Sequence, residues 1–369
     1  MAKEKAAEVI EPALGPWSTA DLFGHHEAEA QMLQAYQSGR MPHAFMISGP
    51  RGIGKATFAY RFARFLLSQS GDDGPSLFGD DAPVESLFVS PDSPTFLQIA
   101  GQGHPGLVTV ARSVNEKTKK LRGDIVVDDV RRMQGMFTMT SAQDSWRIAI
   151  IDAGDEMTRQ AANALLKVLE EPPDRSLLMV VAHAPGQVLT TIKSRCQHLR
   201  LRPLGVSDLE AVLTSQGVEV PQGDDELIAV LSEGRPGHAI NLAQGPGLDL
   251  YASLRDLFDG GRRVDMRAVH ALGDKVGRAG AEDIFRLFAE LFEGFLQRLI
   301  RSIGGTLDGS PVIEKETQIF ASLLEASSLE HWMEVWENSR QLFARTMAVN
   351  LDRKQAVIIV FNDIQKLLR

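Results

Sequence analysis

The fold is decided by one short stretch, Gly49-Pro50-Arg51-Gly52-Ile53-Gly54-Lys55-Ala56. It matches the phosphate-loop pattern G-x-x-x-x-G-K-[S/T] at every fixed position except the last. In such loops the glycines let backbone N–H groups close around phosphates, and the lysine reaches the outer ones. The last position normally places a hydroxyl on Mg²⁺, which Ala56 cannot do. Thr57 has a hydroxyl, but one residue later on a helix it points about 100° away.

The sequence on both sides of this stretch supports the match. An apolar run at Ala44–Ser48 predicts a strand before the loop. After the loop, apolar residues recur with the spacing of a buried helix face: Phe58, Ala59, Phe62, Ala63, Phe65 and Leu66. Strand, glycine turn and helix form the setting that the motif requires. The alternative is a plain glycine-rich turn between a strand and a helix.

Length and composition favour a protein of several domains. The chain has 369 residues, of which 44% are hydrophobic, so two or three domains with real cores are expected. No apolar run reaches the length of a membrane span, and residues 1–16 lack the apolar core of a signal peptide. We therefore expect a cytoplasmic protein. Cys196 is the only cysteine, which excludes an intrachain disulfide and a multi-cysteine zinc site.

The net charge of -9 argues against a free-standing, strongly basic nucleic-acid binder. A local patch could still touch DNA. Lys117, Lys119, Lys120 and Arg122 form one such basic cluster, for which a solvated loop is the favoured interpretation.

The first half of the chain alternates between predicted strands and predicted helices. Strands are predicted at residues 104–110, 148–152 and 177–182, and helices at 125–137 and 161–169. Val126, Val130, Met133 and Phe137 share one face of the former helix. This alternation predicts an α/β domain with a mostly parallel sheet. A stretch rich in Gly, Asp, Pro and Ser, residues 71–94, interrupts it and is predicted to be a mobile surface insertion.

The pattern becomes entirely helical after residue 204. Helical periods fill residues 207–242, with a break at 234–237, and continue from residue 254 onward. A wide apolar stripe must be buried in a bundle core or in a subunit interface. Its members are Ile284, Leu287, Phe288, Leu291, Phe292, Phe295, Leu296, Leu299 and Ile300.

A second candidate site residue, Asp152, ends the predicted strand 148–152. In phosphate-loop proteins an aspartate at such a strand end helps to hold Mg²⁺. Ala153 stands where many hydrolysing proteins carry a glutamate that polarises the attacking water. Alternatively, Asp152 only caps the turn that follows.

Three further segments resemble one family. They are Asn163-Ala164-Leu165-Leu166-Lys167-Val168-Leu169-Glu170-Glu171-Pro172-Pro173, Ser194-Arg195-Cys196, and Gly39-Arg40-Met41-Pro42-His43-Ala44 before the phosphate loop. Their order and spacing are similar to those of the clamp-loader ATPases of bacterial DNA polymerase III, a branch of the AAA+ superfamily. The resemblance covers residues 20–245 well and the C-terminal helices more weakly.

The resemblance implies three structured parts. After a disordered tail at 1–18, an AAA+ P-loop domain spans 19–203 and includes the 71–94 insertion. A small helical lid would follow at 204–246. An all-α collar at 247–369 would join subunits in a ring, with the apolar stripe as its core and interface.

The resemblance also implies a function. Members help to open a sliding clamp and place it on primed DNA during replication, as a hetero-oligomeric ring with gamma/tau and delta subunits of the DNA polymerase III holoenzyme. Arg195, beside Ser194, would reach in trans the outer phosphate of ATP on a neighbouring subunit. A fixed guanidinium there neutralises charge on the transferred phosphoryl group. Spacing alone would favour a plain surface arginine.

Several departures from the family argue against hydrolysis by this chain. Ala56 and Ala153 lack the usual functional groups, and Gly237 stands where active relatives carry a lid arginine, with Arg235 displaced by two positions. The polar sensing position after strand 177–182 holds His183, or Ala182 if the alignment shifts by one. Gly49, Gly52, Gly54, Lys55 and Asp152 then form a degenerate site that could hold ATP or ADP without hydrolysis, with no metal required.

No zinc is predicted, because residues 68–105 lack the cysteines with which many relatives bind it.

The sequence alone leaves other functions open. Lys55 and Asp152 would suit an active ATPase motor subunit of the same machine. A small-molecule kinase is disfavoured by the helical C-terminal third. A role solely as a DNA binder is disfavoured by the net charge.

Overall fold

The computed structural model describes residues 15–69, 84–138, 145–259, 263–303 and 314–368. By internal contacts the chain forms two compact units. The first unit comprises residues 1–217 and 234–237, and the second comprises residues 218–233 and 238–369. The predicted tail at 1–18 and insertion at 71–94 fall largely outside the described residues.

The first unit is built on a parallel sheet of β1 Ala44–Ser48, β2 Leu107–Val110, β3 Arg147–Asp152, β4 Ser176–Ala182 and β5 Gln197–Arg200. The five strands lie in the order β2-β3-β4-β1-β5. The helices are α1 His26–Gln37, α2 Lys55–Ser68, α3 Pro94–Ala100, α4 Val127–Thr138, α5 Arg159–Glu170, α6 Thr190–Lys193 and α7 Val206–Ser215.

Both faces of this sheet are covered. Along β1, Phe45 and Ile47 pack into one core with α1 and α2, whereas Ala44 and Met46 pack into another with α4 and α5. Successive strand residues point to opposite faces, so a strand covered on both sides must be apolar throughout. All five residues of β1 are buried, and its bounds are those predicted. The α/β class with a parallel sheet is confirmed.

Helix α2 is buried on nearly every side. The six apolar residues predicted for its inner face are all buried, which confirms that prediction. Arg61 and Arg64 are buried as well, and their guanidinium groups donate to backbone carbonyls of residues 17–20. Arg61 also pairs with Glu29 at 2.6 Å. The helix after the phosphate loop is thereby fixed against the segment that precedes α1.

Some local predictions were wrong or incomplete. Helix α3 was not predicted; Ser93 caps it by accepting a bond from the Phe96 amide, and Pro94 occupies its first turn. Val126 precedes α4 rather than lying on it, since the helix begins at Val127. Strand β5 was not predicted either. Three of its four residues are exposed, so the sequence carries no apolar run there.

The other helices are α8 Asp225–Ser232, α9 Pro236–Gln244, α10 Gly247–Asp256, α11 Met266–Gly277, α12 Glu282–Ile303, α13 Glu314–Ala326, α14 Leu329–Ala348 and α15 Arg353–Leu367. They confirm the largely helical C-terminal part. The apolar stripe lies on α12 and packs in the core of the second unit, where Ile284, Leu287 and Ile300 are only partly buried.

One polar network lies inside this apolar core. Glu316 on α13 accepts bonds from Arg298 on α12 at 2.8 and 3.0 Å and from the Tyr251 hydroxyl on α10. Burial raises the pKa of Tyr251, and the neighbouring Glu316 carboxylate adds to this effect. A buried charge needs such partners, so the network fixes how these three helices meet.

Candidate functional site

The candidate nucleotide residues lie at one edge of the parallel sheet. The phosphate loop begins directly after β1, and Asp152 is the last residue of β3. Strand β4 separates these two strands, and all three end at the same edge because they run parallel. We call this the carboxyl edge. The fold therefore brings Asp152 to the same edge as Gly49, Gly52, Gly54 and Lys55.

The loop glycines are required by the local backbone. Gly52 and Gly54 have φ angles of 81° and 100°, a region that other residues rarely adopt. At Gly49 the constraint is packing, since a Cβ atom there would lie 2.8 Å from the Leu201 carbonyl oxygen. His25 also reaches the loop, with its Nε2 atom 2.9 Å from the carbonyl oxygen of Ile53.

The Lys55 ammonium group is turned onto its own loop. It donates to the carbonyl oxygens of Gly49 at 2.7 Å and of Pro50 at 2.6 Å, and the residue is only 3% exposed. Burial lowers the pKa of Lys55 to about 8, against the opposing effect of the Asp155 and Asp152 carboxylates. Two of its three N–H donors are thus satisfied by loop carbonyls.

The two aspartates at this edge differ in environment. Asp155 follows β3 in a short 3₁₀ turn, and its carboxylate accepts the backbone N–H groups of His183 and Ala184, each at 2.9 Å. Burial raises the pKa of Asp152, an effect that the nearby Lys55 opposes. Asp155 therefore links the turn after β3 to the end of β4, and it lies close enough to Lys55 to affect its pKa.

Of the two residues predicted for the sensing position, Ala182 ends β4 and His183 lies directly after it. Burial lowers the pKa of His183 to about 4, and the nearby Lys55 cation adds to this effect. Its buried Nδ1 atom has no hydrogen-bond partner among the described residues. At neutral pH this imidazole is therefore uncharged.

Gly237, at the start of α9, packs directly on the phosphate loop. Its amide donates to the carbonyl oxygen of Gly52 at 2.8 Å. A Cβ atom on Gly237 would lie 3.1 Å from the Cα atom of Gly52, so a side chain would press on the loop backbone. This close approach leaves little room for a side chain at residue 237.

The Ser194-Arg195-Cys196 segment lies at the opposite edge of the same sheet, which we call the amino edge. Gln197, the first residue of β5, pairs with Phe45 near the start of β1. About four residues of strand, or roughly 13 Å, separate that level from Gly49. Arg195 precedes β5, so the fold does not bring it to the chain's own loop.

Arg195 is exposed but held by two contacts. Its Nη2 atom lies 3.0 Å from Oε1 of Glu170, and its Nη1 atom donates to the Thr191 carbonyl at 3.1 Å. The Ser194 hydroxyl donates to the same carbonyl at 3.2 Å. Cys196 is buried beside them, and burial raises the pKa of its thiol to about 11, so it is a packing residue rather than a nucleophile.

Sequence reasoning missed four contributors: Asp155, Gly237 as a packing residue, His25 and Glu170. Only Glu170 carried a signal, because it belongs to the motif that also contains Lys167. The others act through contacts between residues far apart in sequence, such as the 28 residues between His25 and Ile53.

Comparison with known proteins places the sheet and its loop in a family. A model described as DNA polymerase III, delta subunit, matches residues 24–205. Residues 24–205 belong to this family. The family predicted from the sequence is thereby confirmed at the level of DNA polymerase III subunits.

Curated relatives of two kinds are similar to this chain. The chain is 31% identical over 232 residues to the delta′ subunit of Escherichia coli, covering 62% of this chain and 61% of that one. It is 31% identical over 220 residues to the delta′ subunit of Pseudomonas aeruginosa, covering 59% and 60% of the two chains. The gamma/tau subunit of Mycobacterium tuberculosis is 27% identical over 231 residues, covering 62% and 36%. The chain thus spans about a third to three fifths of these relatives.

A solved DNA polymerase III gamma subunit-related protein from Thermotoga maritima covers 92% of this chain and 100% of its own, at 14% identity and a TM-score of 0.39. None of the described helices combines the length and apolar character needed to cross a membrane.

Proposed function

We propose that this chain is a delta prime-type subunit of the DNA polymerase III clamp loader, one that does not hydrolyse ATP itself. It assembles with gamma/tau and delta subunits in a ring that loads the sliding clamp onto primed DNA. Its chemical contribution is Arg195, which acts in trans on ATP bound by a neighbouring subunit. The observation that carries this proposal is the position of an exposed Arg195 at the edge of the sheet opposite its own loop.

The state of the loop supports the absence of hydrolysis. Gly237, which bonds to the Gly52 carbonyl of the loop, brings no arginine side chain to it. Ala56 offers no metal ligand, and Ala153 offers no carboxylate to polarise water. Since losing one arginine-type contact can lower the rate of phosphoryl transfer by several powers of ten, the combined absences leave no competent site.

Two assays test the proposal. The purified chain should show no steady ATP turnover above that of its Lys55→Ala variant. In the assembled loader, Arg195→Ala should lower DNA-stimulated ATP turnover while the complex still forms. Turnover by the isolated chain that Lys55→Ala removes, or unchanged turnover of a correctly assembled Arg195→Ala complex, would overturn the proposal.

An active ATPase motor subunit of the gamma/tau kind is the second candidate. It is favoured by the similarity to gamma/tau relatives and by the presence of Lys55 and Asp152 at one edge. The isolated-chain assay separates the two candidates, because only the motor subunit would turn over ATP with its own loop.

Nucleotide could still bind without being hydrolysed. Equilibrium titration of the chain with a fluorescent ATP analogue, with and without Mg²⁺, measures this directly. We expect weak binding that does not depend on Mg²⁺, because Ala56 removes the hydroxyl through which the loop would hold the metal.

A further inference from the structure

The contacts of Arg195 involve a second residue that sequence reasoning did not assign. Glu170 is the last residue of α5, and its carboxylate lies 3.0 Å from the Arg195 guanidinium. A carboxylate at a helix C-terminus is disfavoured by the helix dipole. An exposed single ion pair also adds little to stability. Stability therefore does not account for an acidic residue at this position.

The effect of Glu170 on the arginine side chain is more specific. Arginine has many rotamers, and a free one loses much entropy when it is fixed in an active site. Glu170 contacts Nη2 and the Thr191 carbonyl contacts Nη1, so both terminal nitrogens of the Arg195 guanidinium group are held. Two of the five N–H donors are used, which leaves three for a phosphate. The Arg195 side chain is still 38% exposed.

We propose that Glu170 is a positioning residue for Arg195. It holds the guanidinium at the amino edge in a conformation that can meet the phosphate of a neighbour's ATP, so that less ordering is required when the ring assembles. This inference rests on the proposed function of Arg195 and adds a residue to it. Glu170 does not touch the nucleotide.

The chain offers a matched control in Glu171, the next residue. It is exposed, caps the same helix with its backbone, and forms no ion pair with any cation in the described part of the chain. Glu170→Ala and Glu171→Ala therefore remove the same side chain from the same surface. Only the first removes the contact to Arg195.

The test uses the complete loader assembled with each variant. The quantity measured is the Arg195-dependent turnover, which is the DNA-stimulated ATP turnover of the wild-type complex minus that of the Arg195→Ala complex. Glu170→Ala should lower the kcat of this Arg195-dependent turnover about threefold to fivefold, a change that corresponds to the free energy of one exposed ion pair. The KM for ATP should be unchanged. Glu171→Ala should leave it unchanged. In an Arg195→Ala background, Glu170→Ala should have no further effect.

The outcomes separate this inference from the function on which it rests. If Arg195→Ala leaves turnover unchanged, the proposed function fails. If Arg195→Ala lowers turnover but Glu170→Ala matches Glu171→Ala, only the positioning role fails. A rise in turnover for Glu170→Ala would mean that Glu170 restrains the arginine, and an additive loss in the double variant would mean a general structural effect. Either result overturns the inference.

Discussion

The two edges of the parallel sheet treat their charged residues in opposite ways. At the carboxyl edge, Lys55 is buried and bonded to loop carbonyls, and Asp155 is bonded to backbone amides. At the amino edge, Arg195 and Glu170 pair with each other and are 38% and 51% exposed. The lysine of the motif that is easiest to recognise is thus buried, and the arginine of the less obvious motif is exposed.

This difference shows that a sequence motif identifies a place in the fold more securely than it identifies an activity. A phosphate loop still organises β1 and α2 after its polar groups have found partners within the chain. An arginine that is to act on another subunit must remain accessible. If this contrast is correct, removing groups that are bonded within the carboxyl edge should lower stability, whereas removing the exposed pair at the amino edge should change stability little.

The largest expected effect is at Asp155. Asp155→Ala removes a charged acceptor from two backbone N–H groups, so the free energy of unfolding should fall by about 2–4 kcal/mol. Asp152→Asn is the matched control. Because burial raises the pKa of Asp152, removing its charge should be neutral or stabilising. Urea denaturation measures both variants, and equal losses would contradict the contrast between the two carboxylates.

A smaller effect is expected at Gly237. Gly237→Ala places a Cβ atom 3.1 Å from the Cα atom of Gly52, and we expect a loss of about 1–2 kcal/mol. Gly135 on α4 is the control, because a Cβ atom there would meet nothing within 4 Å. Gly135→Ala should stabilise by up to about 1 kcal/mol, the ordinary gain in a helix. Stabilisation by Gly237→Ala as well would show that the loop is not tightly packed there.

The buried ammonium group predicts a pH dependence. The pKa of Lys55 in the folded chain, about 8, lies below the ordinary 10.5 because of burial, so the unfolded chain binds more protons between these values. The stability of the wild type relative to Lys55→Met should therefore rise by about 1–2 kcal/mol from pH 8 to pH 9.5. Denaturation at both pH values measures this. Lys167→Met, which changes an exposed lysine, is the control, and a flat difference for Lys55→Met would contradict its burial.

The smallest effect is expected at the amino edge. Arg195→Ala removes an exposed ion pair, so the unfolding free energy of the isolated chain should change by less than about 1 kcal/mol. Thermal unfolding of the isolated chain checks this. A larger loss would mean that Arg195 is a structural residue, which would weaken the contrast between the edges.

The sequence was sufficient to predict those strands and helices whose buried residues form an apolar run or recur with helical spacing. The bounds of β1 and the inner face of α2 follow from apolar runs and helical spacing. Strand β5 could not be found in this way, since it is an edge strand with only Leu199 buried. Its place is set by pairing with β1, a contact between residues about 150 positions apart.

The sequence named only some residues of the candidate site and none of the contacts between them. Two separate motifs name Lys55 and Arg195, but which carbonyl oxygens Lys55 approaches depends on the loop backbone. The burial of Arg61 and Arg64 could not be predicted from the sequence either. Their partners are backbone carbonyl groups, which every residue carries, so no residue type in the sequence marks these contacts.

The packing of Gly49 has a consequence for how such a loop changes over evolutionary time. Any side chain at Gly49 would collide with the Leu201 backbone whether or not a phosphate ever binds, so the fold alone resists its replacement. Ala56 is half-buried on the first turn of α2 and has no comparable restriction. A lineage that stopped needing hydrolysis would thus lose the metal-binding hydroxyl early and keep its glycines. The glycines that remain would then be evidence of descent from an ATPase and not of ATP hydrolysis by the present chain.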